Sequence, residues 1–177
     1  MKGRVFLVVG PSGAGKDTLL AGAAAADPRL HWARRVITRD SVAGGEPFEG
    51  VSEAAFKSRL KANEFALHWQ AHGLCYGVPV AEFKPLEDGR DVLINGSRAA
   101  LSATLAAFPG LRVIQISAPM WILADRLSLR GRESHADIIA RLQRATYALP
   151  EGVAAIEICN DATLEDGVAK LLHALRA

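Results

Sequence analysis

The chain has 177 residues, 50% of them apolar and 23% charged, and a formal net charge of +2. This length and composition are typical of one globular domain with a substantial core, and they exclude two large domains or a disordered chain. So small a net charge gives no general argument for binding nucleic acid or a membrane surface, and no apolar stretch approaches a membrane span. We therefore predict neither kind of partner.

The cysteines and the start of the chain bear on the compartment. Cys75 and Cys159 lie far apart, with no second Cys or His at metal-ligand spacing. Neither a disulfide framework nor a zinc site is implied, which indicates a reducing compartment. The apolar run 5–9 is too short for the hydrophobic region of a signal peptide. These features predict a cytoplasmic protein.

Apolar strand patterns alternate with helical patterns along most of the chain. The run 5–9 is continuous, rich in β-branched residues and bounded by Gly10-Pro11, which predicts a buried strand of a parallel sheet. Further strands are predicted for 32–38, 91–95, 111–116 and 153–158. Helices are predicted for 16–26, 98–108, 119–129, 136–148 and 164–175. The alternation predicts an α/β fold with a mainly parallel five-stranded sheet flanked by helices.

Residues 40–88 break this alternation, and we interpret them as a small inserted acceptor-binding subdomain. They combine a Gly-rich loop, a short helix capped by Ser52, and two strand patterns joined as a hairpin: 44–47, 52–62, 64–71 and 74–78. The remaining segments, 1–39 and 89–177, form the core. The whole chain is thus predicted to be a single domain.

Residues 10–17 read Gly-Pro-Ser-Gly-Ala-Gly-Lys-Asp and nearly fit the pattern G-x-x-x-x-G-K-[ST]. In this pattern the glycines let successive backbone N–H groups point at phosphate, and the Lys neutralises the β and γ oxygens. The alternative is a glycine-rich turn with an exposed Lys, but the place between an apolar strand and a helix favours phosphate binding. The predicted ATP-binding residues are Gly10, Pro11, Ser12, Gly13, Ala14, Gly15, Lys16, Asp17 and Thr18.

Asp17 departs from the pattern, in which a Ser or Thr lends its hydroxyl to Mg²⁺. Because Mg²⁺ is a hard cation that accepts a carboxylate equally well, we predict that Asp17 faces the metal, directly or through water. Two alternatives stay open: Thr18 takes over the metal, or Asp17 merely caps the helix.

Arginine side chains form two sets. Arg126 and Arg130 are four residues apart and share a helix face, and Arg132 lies just beyond them, so we predict an Arg-rich lid at about 128–136. In phosphoryl transfer, mobile arginines stabilise charge and exclude water, although a solvated basic face is the other explanation. The second set, Arg35 and Arg39 with Arg34, ends a predicted strand, where α/β sheets place ligands. Arg141 is either a phosphate contact or a partner of nearby carboxylates.

Several segments in chain order resemble the guanylate kinase superfamily across nearly the whole chain. They are the phosphate loop, Val36-Ile37-Thr38-Arg39, Tyr76-Gly77, and Arg126-Leu127 to Arg132. Within that superfamily, Gly-Lys-Asp in the loop, the segment 65–73 and the segment 92–98 look like the ribose 1,5-bisphosphate phosphokinase family. The resemblance implies a P-loop NTPase fold and the use of ATP to phosphorylate ribose 1,5-bisphosphate to 5-phospho-α-D-ribose 1-diphosphate, within phosphonate catabolism.

Differences from guanylate kinase decide which functional residues of that family are expected in this chain. That family has a Glu that reads guanine in the segment resembling 65–69, whereas this chain has Leu-His-Trp there and no carboxylate to accept from the base. Among the residues that contact the GMP phosphate in that family, the resemblance extends to Arg39 and Tyr76. Asn95 stands where many phosphate-loop kinases carry a metal-linked Asp, which shifts metal binding towards Asp17. His68 is either an acceptor contact or, like Trp69, hairpin core packing.

The resemblance and the residues together define the expected site. Catalytic roles are predicted for Lys16, Arg39, Arg126, Arg130 and Arg132. Acceptor binding is predicted for Arg35, Arg39, His68, Tyr76 and Arg141. The expected ligands are ATP, Mg²⁺ and a small sugar phosphate.

Two rival functions remain. A nucleoside monophosphate kinase, chiefly for GMP, would share every part except the acceptor pocket. A catalytically dead guanylate-kinase-like domain would bind a protein partner, but such domains usually lose the phosphate loop, whereas Gly10, Gly15 and Lys16 are intact here. A homodimer also stays open, because one sequence does not determine the oligomeric state.

Overall fold

The computed structural model describes residues 3–40, 47–129, 131, 134–144 and 148–177. Within these residues the strands are β1 (Val5–Val9), β2 (Leu30–Trp32), β3 (Arg35–Ile37), β4 (Phe48–Gly50), β5 (Phe65–Ala71), β6 (Leu74–Pro79), β7 (Asp91–Asn95), β8 (Arg112–Ser117) and β9 (Ala155–Cys159). The α-helices are α1 (Lys16–Ala26), α2 (Glu53–Lys61), α3 (Leu101–Ala107), α4 (Met120–Ser128), α5 (His135–Arg144) and α6 (Leu164–Arg176). Two 3₁₀ helices cover Val80–Leu86 and Arg98–Ala100.

The larger sheet has five strands in the order β2-β7-β1-β8-β9, and all of its pairings are parallel. β1 lies at its centre, and every residue of β1 is buried. Because both faces of a parallel sheet are covered, its strands are apolar throughout, which is why β1 is a continuous apolar run rather than an alternating one. The predicted five-stranded parallel sheet is confirmed.

Successive residues of β1 face opposite layers of the core. Phe6 and Val8 pack in one cluster with the apolar faces of α1 and α6, where Leu19 and Leu171 are fully buried. Leu7 and the other odd-numbered residues of β1 pack in a second cluster with α3 and with the hairpin β5–β6. The sheet is therefore covered on both faces, by α1 and α6 on one and by α3 and the hairpin β5–β6 on the other.

The smaller sheet has four strands in the order β4-β3-β6-β5. β3 pairs in parallel with β4 and antiparallel with β6, and β5 and β6 form the predicted hairpin. His72 and Gly73 at its tip have φ angles of 53° and 74°, as the favoured two-residue hairpin turn requires. On the outer face, Phe56 of α2 stacks on Phe65 with ring centroids 4.8 Å apart.

The predicted strand 32–38 is wrong as a single element. The structure divides it between β2 of the larger sheet and β3 of the smaller one. The Ala33 N–H still donates to Leu93 of β7, whereas the Arg34 N–H donates to the Glu82 carboxylate as the chain crosses over. A run of strand-forming residues does not reveal which sheet each half joins, because both halves have the same local pattern.

Other differences concern the ends of elements. The predicted helix 98–108 begins as the 3₁₀ turn Arg98–Ala100 before α3, and neither β4 nor the 3₁₀ helix Val80–Leu86 was predicted. α5 ends at Arg144, and the predicted continuation through 145–147 lies outside the described residues. No helix in the described part of the chain is long and apolar enough to cross a membrane.

Candidate active site

The phosphate loop joins the carboxyl end of β1 to the first residue of α1, Lys16. Gly13 and Gly15 have φ angles of 86° and 90°, a left-handed conformation that side chains disfavour. A Cβ at Gly15 would also lie 2.5 Å from the Asn160 amide nitrogen. The glycines thus allow a tight loop that leads into a helix N-terminus, where backbone N–H groups and the helix dipole favour an anion.

The Lys16 ammonium lies against the beginning of the same loop. Its Nζ donates to the backbone oxygens of Gly10 at 2.8 Å and Pro11 at 3.2 Å. The side chain therefore folds back along the loop instead of extending into solvent. An ammonium held there is placed to neutralise phosphate oxygens bound by the loop.

The Asp17 carboxylate follows directly in α1 and accepts a hydrogen bond of 2.5 Å from the Asn95 side-chain amide. Asn95 ends β7, the neighbour of β1, and only 2% of it is exposed. Asp17 is half-buried. In kinases Mg²⁺ takes one or two carboxylates and completes its shell with substrate phosphates and water, so this donor set suits it. The described residues contain no cluster of three His, Cys, Asp or Glu that could hold a metal unaided.

Arg126 and Asn160 hold the loop by hydrogen bonds to its carbonyl oxygens. Arg126 donates from Nη1 to the carbonyl oxygens of Gly13 and Ala14, each at 3.3 Å, and from Nη2 to that of Asn160 at 3.1 Å. The Asn160 amide donates to the Ala14 oxygen at 2.8 Å. These hydrogen bonds give the Gly13 and Ala14 carbonyl groups partners and fix the shape of the loop.

The catalytic role predicted for Arg126 stays a prediction, and its guanidinium lies on the loop itself. Asn160 was not predicted at all. The signal that could have found it is its place two residues after the strand predicted for 153–158, because polar residues at the carboxyl end of a parallel strand tend to face the ligand.

A cleft of about 320 Å³ opens beside the loop. It is lined by Gly13, Gly15, Thr18, Arg126, Leu129, Asn160, Ala162 and Leu164. Leu129 and Leu164 are 88% and 45% exposed, which is unusual for leucine. The cleft therefore combines apolar surface at its edge with a guanidinium and an amide inside. A second cleft of about 420 Å³ lies between α2 and the hairpin tip, and no predicted site residue lines it.

Arg35 joins the two sheets. Its Nη1 donates to the Asn95 backbone oxygen at 2.9 Å, and its guanidinium carbon lies 5.2 Å from the centre of the Tyr76 ring. Tyr76 in turn stacks on Trp69, with centroids 5.3 Å apart and an angle of 3° between the rings. This buried stack carries a positive charge to the carboxyl end of β7. Arg35 and Tyr76, both predicted acceptor residues, are thus brought together.

Arg39 lies two residues after the end of β3. Its guanidinium carbon lies 4.4 Å above the Phe48 ring, close enough for a cation–π contact. Nε of Arg39 is buried and has no hydrogen-bond partner in the described part of the protein. Phe48 thus contacts the guanidinium of this side chain.

His68 lies apart from these residues. It pairs across the hairpin with Gly77, whereas Trp69 pairs with Tyr76. Because successive side chains of a strand point to opposite faces, His68 projects from the face opposite Tyr76, and it is exposed. Trp69 is buried, in agreement with the packing alternative. Arg130, Arg132 and the Arg141 side chain lie outside the described residues, so their predicted roles stay predictions.

These features define the class of protein: a phosphate loop between the central parallel strand and its helix, with a small mixed sheet beside it, is the arrangement of a guanylate kinase-like P-loop kinase. The structure is similar to guanylate kinase from Anaplasma phagocytophilum, with a TM-score of 0.69, 20% sequence identity, and coverage of 99% of this chain and 85% of that chain. At this identity the likeness shows the fold.

The sequence comparisons narrow the class to a family. The chain is 48% identical to the ribose 1,5-bisphosphate phosphokinase PhnN of Ruegeria sp. (strain TM1040), over 99% of this chain and 93% of that protein. It is 44% identical to the protein of the same name from Agrobacterium fabrum, over 97% and 96%. The chain therefore belongs to the ribose 1,5-bisphosphate phosphokinase family. No family model matches it.

Proposed function

We propose that this protein transfers the γ-phosphoryl group of ATP to the 1-phosphate of ribose 1,5-bisphosphate, with 5-phospho-α-D-ribose 1-diphosphate and ADP as products. The observation that carries the proposal is the phosphate loop, in which Lys16 donates to the oxygens of Gly10 and Pro11, in a chain that matches phosphokinases of this name over nearly their full length. We also propose that this reaction is a step of phosphonate catabolism.

The donor side of the proposal rests on the loop and the smaller cleft. The phosphates of ATP lie on the backbone of residues 10–17, in which every residue except Pro11 has an N–H group, with Lys16 between the β and γ phosphates. The cleft of about 320 Å³ beside the loop receives the adenosine. Its exposed leucines supply apolar contacts to the flat faces of a base.

Asp17 is the residue that would hold Mg²⁺. The chemistry that the ion would supply is neutralisation of the negative charge on the phosphates during transfer. The carboxylate is half-buried and held by Asn95, so it offers an oxygen ligand next to the phosphate loop. Lys16 and Asp17 thus act on the same phosphates from consecutive positions of one helix.

The acceptor needs no general base. A phosphate monoester has a second pKa of about 6, so most of it is already the dianion near neutral pH. The protein must therefore position two anionic phosphates close together and neutralise their repulsion. Arg39, Arg35 and Tyr76 carry out this role in the proposal, with His68 and Arg141 as further acceptor candidates. Arg126, Arg130 and Arg132 stabilise the transferring group.

A coupled assay of ADP release tests the proposal. Mg·ATP is supplied with ribose 1,5-bisphosphate, with GMP, or with no acceptor, and the Lys16→Ala protein serves as the control. Turnover with the sugar bisphosphate alone is the expected result. Turnover with GMP instead would favour a nucleoside monophosphate kinase. No turnover with either acceptor would favour a catalytically dead domain that binds a protein partner.

Location and assembly complete the proposal. We place the enzyme in the cytoplasm, where ATP is available and free cysteines such as Cys75 and Cys159 stay reduced. A homodimer is tested by analytical ultracentrifugation of the purified protein, because an assembly of two chains doubles the sedimenting mass.

A further inference from the structure

Beside the phosphate loop, the carboxylate and the uncharged polar side chain have exchanged places compared with most phosphate-loop NTPases. In phosphate-loop NTPases a Ser or Thr of the loop and an Asp at the end of a neighbouring strand hold Mg²⁺ between them. This chain has Asp17 at the loop position and Asn95 at the end of β7, the strand next to β1. The two side chains are hydrogen-bonded to each other at 2.5 Å. One carboxylate is thus present in either arrangement, but on the opposite element.

Asn95 is held rigidly, so the bond it donates has a fixed direction. Its backbone pairs with Val8 in the centre of the larger sheet, and the following Gly96 N–H donates to the Val8 oxygen at 2.9 Å. Its own backbone oxygen accepts from Arg35 at 2.9 Å. An amide fixed in this way orients the carboxylate it binds, whereas an unsupported carboxylate on a helix samples several rotamers.

We propose that Asn95 is a positioning residue for the divalent cation of the ATP complex, and that its amide orients the Asp17 carboxylate as the metal ligand. The inference rests on the proposed function in that ATP is bound with its cation and that Asp17 holds this cation. Oδ1 of Asp17 accepts from the amide, and Asp17 supplies the single negative charge that the strand-end Asp supplies elsewhere. The Asp17–Asn95 pair thereby replaces the usual hydroxyl–carboxylate pair.

The test measures binding of Mn²⁺ to the protein with ADP, followed by the electron paramagnetic resonance signal of free Mn²⁺. This readout needs no acceptor and no turnover. In the Asn95→Leu variant the side chain keeps its approximate size but loses the donor, and we expect Mn²⁺ to bind 10- to 100-fold more weakly, roughly the effect of losing a partner that orients a ligand. Binding of ADP without metal stays within about twofold of wild type. The bond from Arg35 is to the backbone and survives the substitution.

A matched control comes from the other buried asparagine near the loop. Asn160 donates to the Ala14 carbonyl and not to Asp17. Asn160→Leu therefore weakens ADP binding with and without metal to a similar degree, because it disturbs the loop and not the carboxylate. The two variants separate orientation of a metal ligand from general support of the site.

A double exchange provides a signature that a merely structural role would not give. Asp17→Ser alone removes the only carboxylate of the pair and weakens Mn²⁺ binding. Asp17→Ser combined with Asn95→Asp recreates the common hydroxyl–carboxylate pair and returns Mn²⁺ affinity to at least tenfold above that of Asp17→Ser.

Three outcomes would overturn the inference. One is a folded Asn95→Leu protein that binds Mn²⁺ with wild-type affinity. Another is an equal loss of ADP binding with and without metal in that variant. If Asn95→Leu does not fold, the double exchange decides, and a double variant no better than Asp17→Ser would count against the inference. Failure of the proposed function is a separate result, since it appears as absent turnover with ribose 1,5-bisphosphate while Mn²⁺ and ADP binding remain measurable.

Discussion

His31 and Glu82 connect the two places where the chain passes between the sheets. Nε2 of His31 on β2 and Oε2 of Glu82 in the 3₁₀ helix are hydrogen-bonded at 2.7 Å, and the same oxygen accepts the Arg34 N–H at 2.8 Å. Arg34 lies in the first crossing, and the 3₁₀ helix Val80–Leu86 forms the return. One carboxylate thus holds both crossings, and with them the position of the smaller sheet relative to the phosphate loop.

Glu82→Gln should lower stability in a pH-dependent manner. Burial acts to raise the pKa of Glu82, but hydrogen bonds from His31 and from the Arg34 N–H outweigh it and hold the pKa below the ordinary 4.5. A lowered pKa contributes stability above the unfolded value, and this contribution is lost as the pH falls through the folded pKa. Urea unfolding should show the variant less stable by about 1 kcal/mol at pH 7.

The difference between wild type and Glu82→Gln should shrink as the pH falls below 4.5. The exposed Glu87→Gln serves as a control of equal charge change on the same segment. A difference that stayed constant down to acid pH would show that the ionised carboxylate is not what holds the crossings.

Lys16→Ala should reduce turnover by at least about 100-fold, because it removes the preorganised positive charge that neutralises the phosphate during transfer. Thermal unfolding should change little, since the ammonium binds two backbone oxygens in a partly exposed place. The coupled ADP-release assay and a melting curve measure both effects on the same sample. Near-normal turnover would refute the assignment of the phosphate loop.

Gly15→Ala should disrupt the loop. The residue has a φ of 90°, which costs a side chain about 1–2 kcal/mol, and its Cβ would lie 2.5 Å from Nδ2 of Asn160. We expect ADP to bind at least tenfold more weakly, as measured by calorimetric titration. Gly110→Ala is the matched control, because a Cβ there meets nothing within 4 Å. Equal ADP affinities in the two variants would show that the loop tolerates the clash.

Arg39→Ala should raise the KM for ribose 1,5-bisphosphate by roughly tenfold or more and leave the KM for ATP within about twofold, because a charged hydrogen bond contributes about 1.5–3 kcal/mol. The guanidinium lies over Phe48, and the proposed function assigns Arg39 to the acceptor. Steady-state kinetics with each substrate varied in turn measure the split. Arg29→Ala, at a side chain 76% exposed, is the control. Equal losses for both substrates would contradict the placement of Arg39.

The sequence by itself determined the local elements. β1, β7 and α1 have the predicted bounds, and the hairpin turn at His72-Gly73 is where it was expected. These features depend on residues close together in the chain: apolar runs, helix formers, and a glycine where φ is positive. The phosphate loop belongs to the same class, since its glycines and Lys16 act through backbone geometry encoded within eight residues.

Only the tertiary structure decided which distant residues meet. Asp17 and Asn95 are 78 positions apart and touch because β7 is the neighbour of β1. Arg126 and Asn160 reach the loop from α4 and from the end of β9, and the segment 32–38 divides between two sheets. Strand order and sheet membership arise from packing of the whole chain, and the same local pattern is compatible with several orders. The elements of the site could therefore be predicted, but their contacts could not.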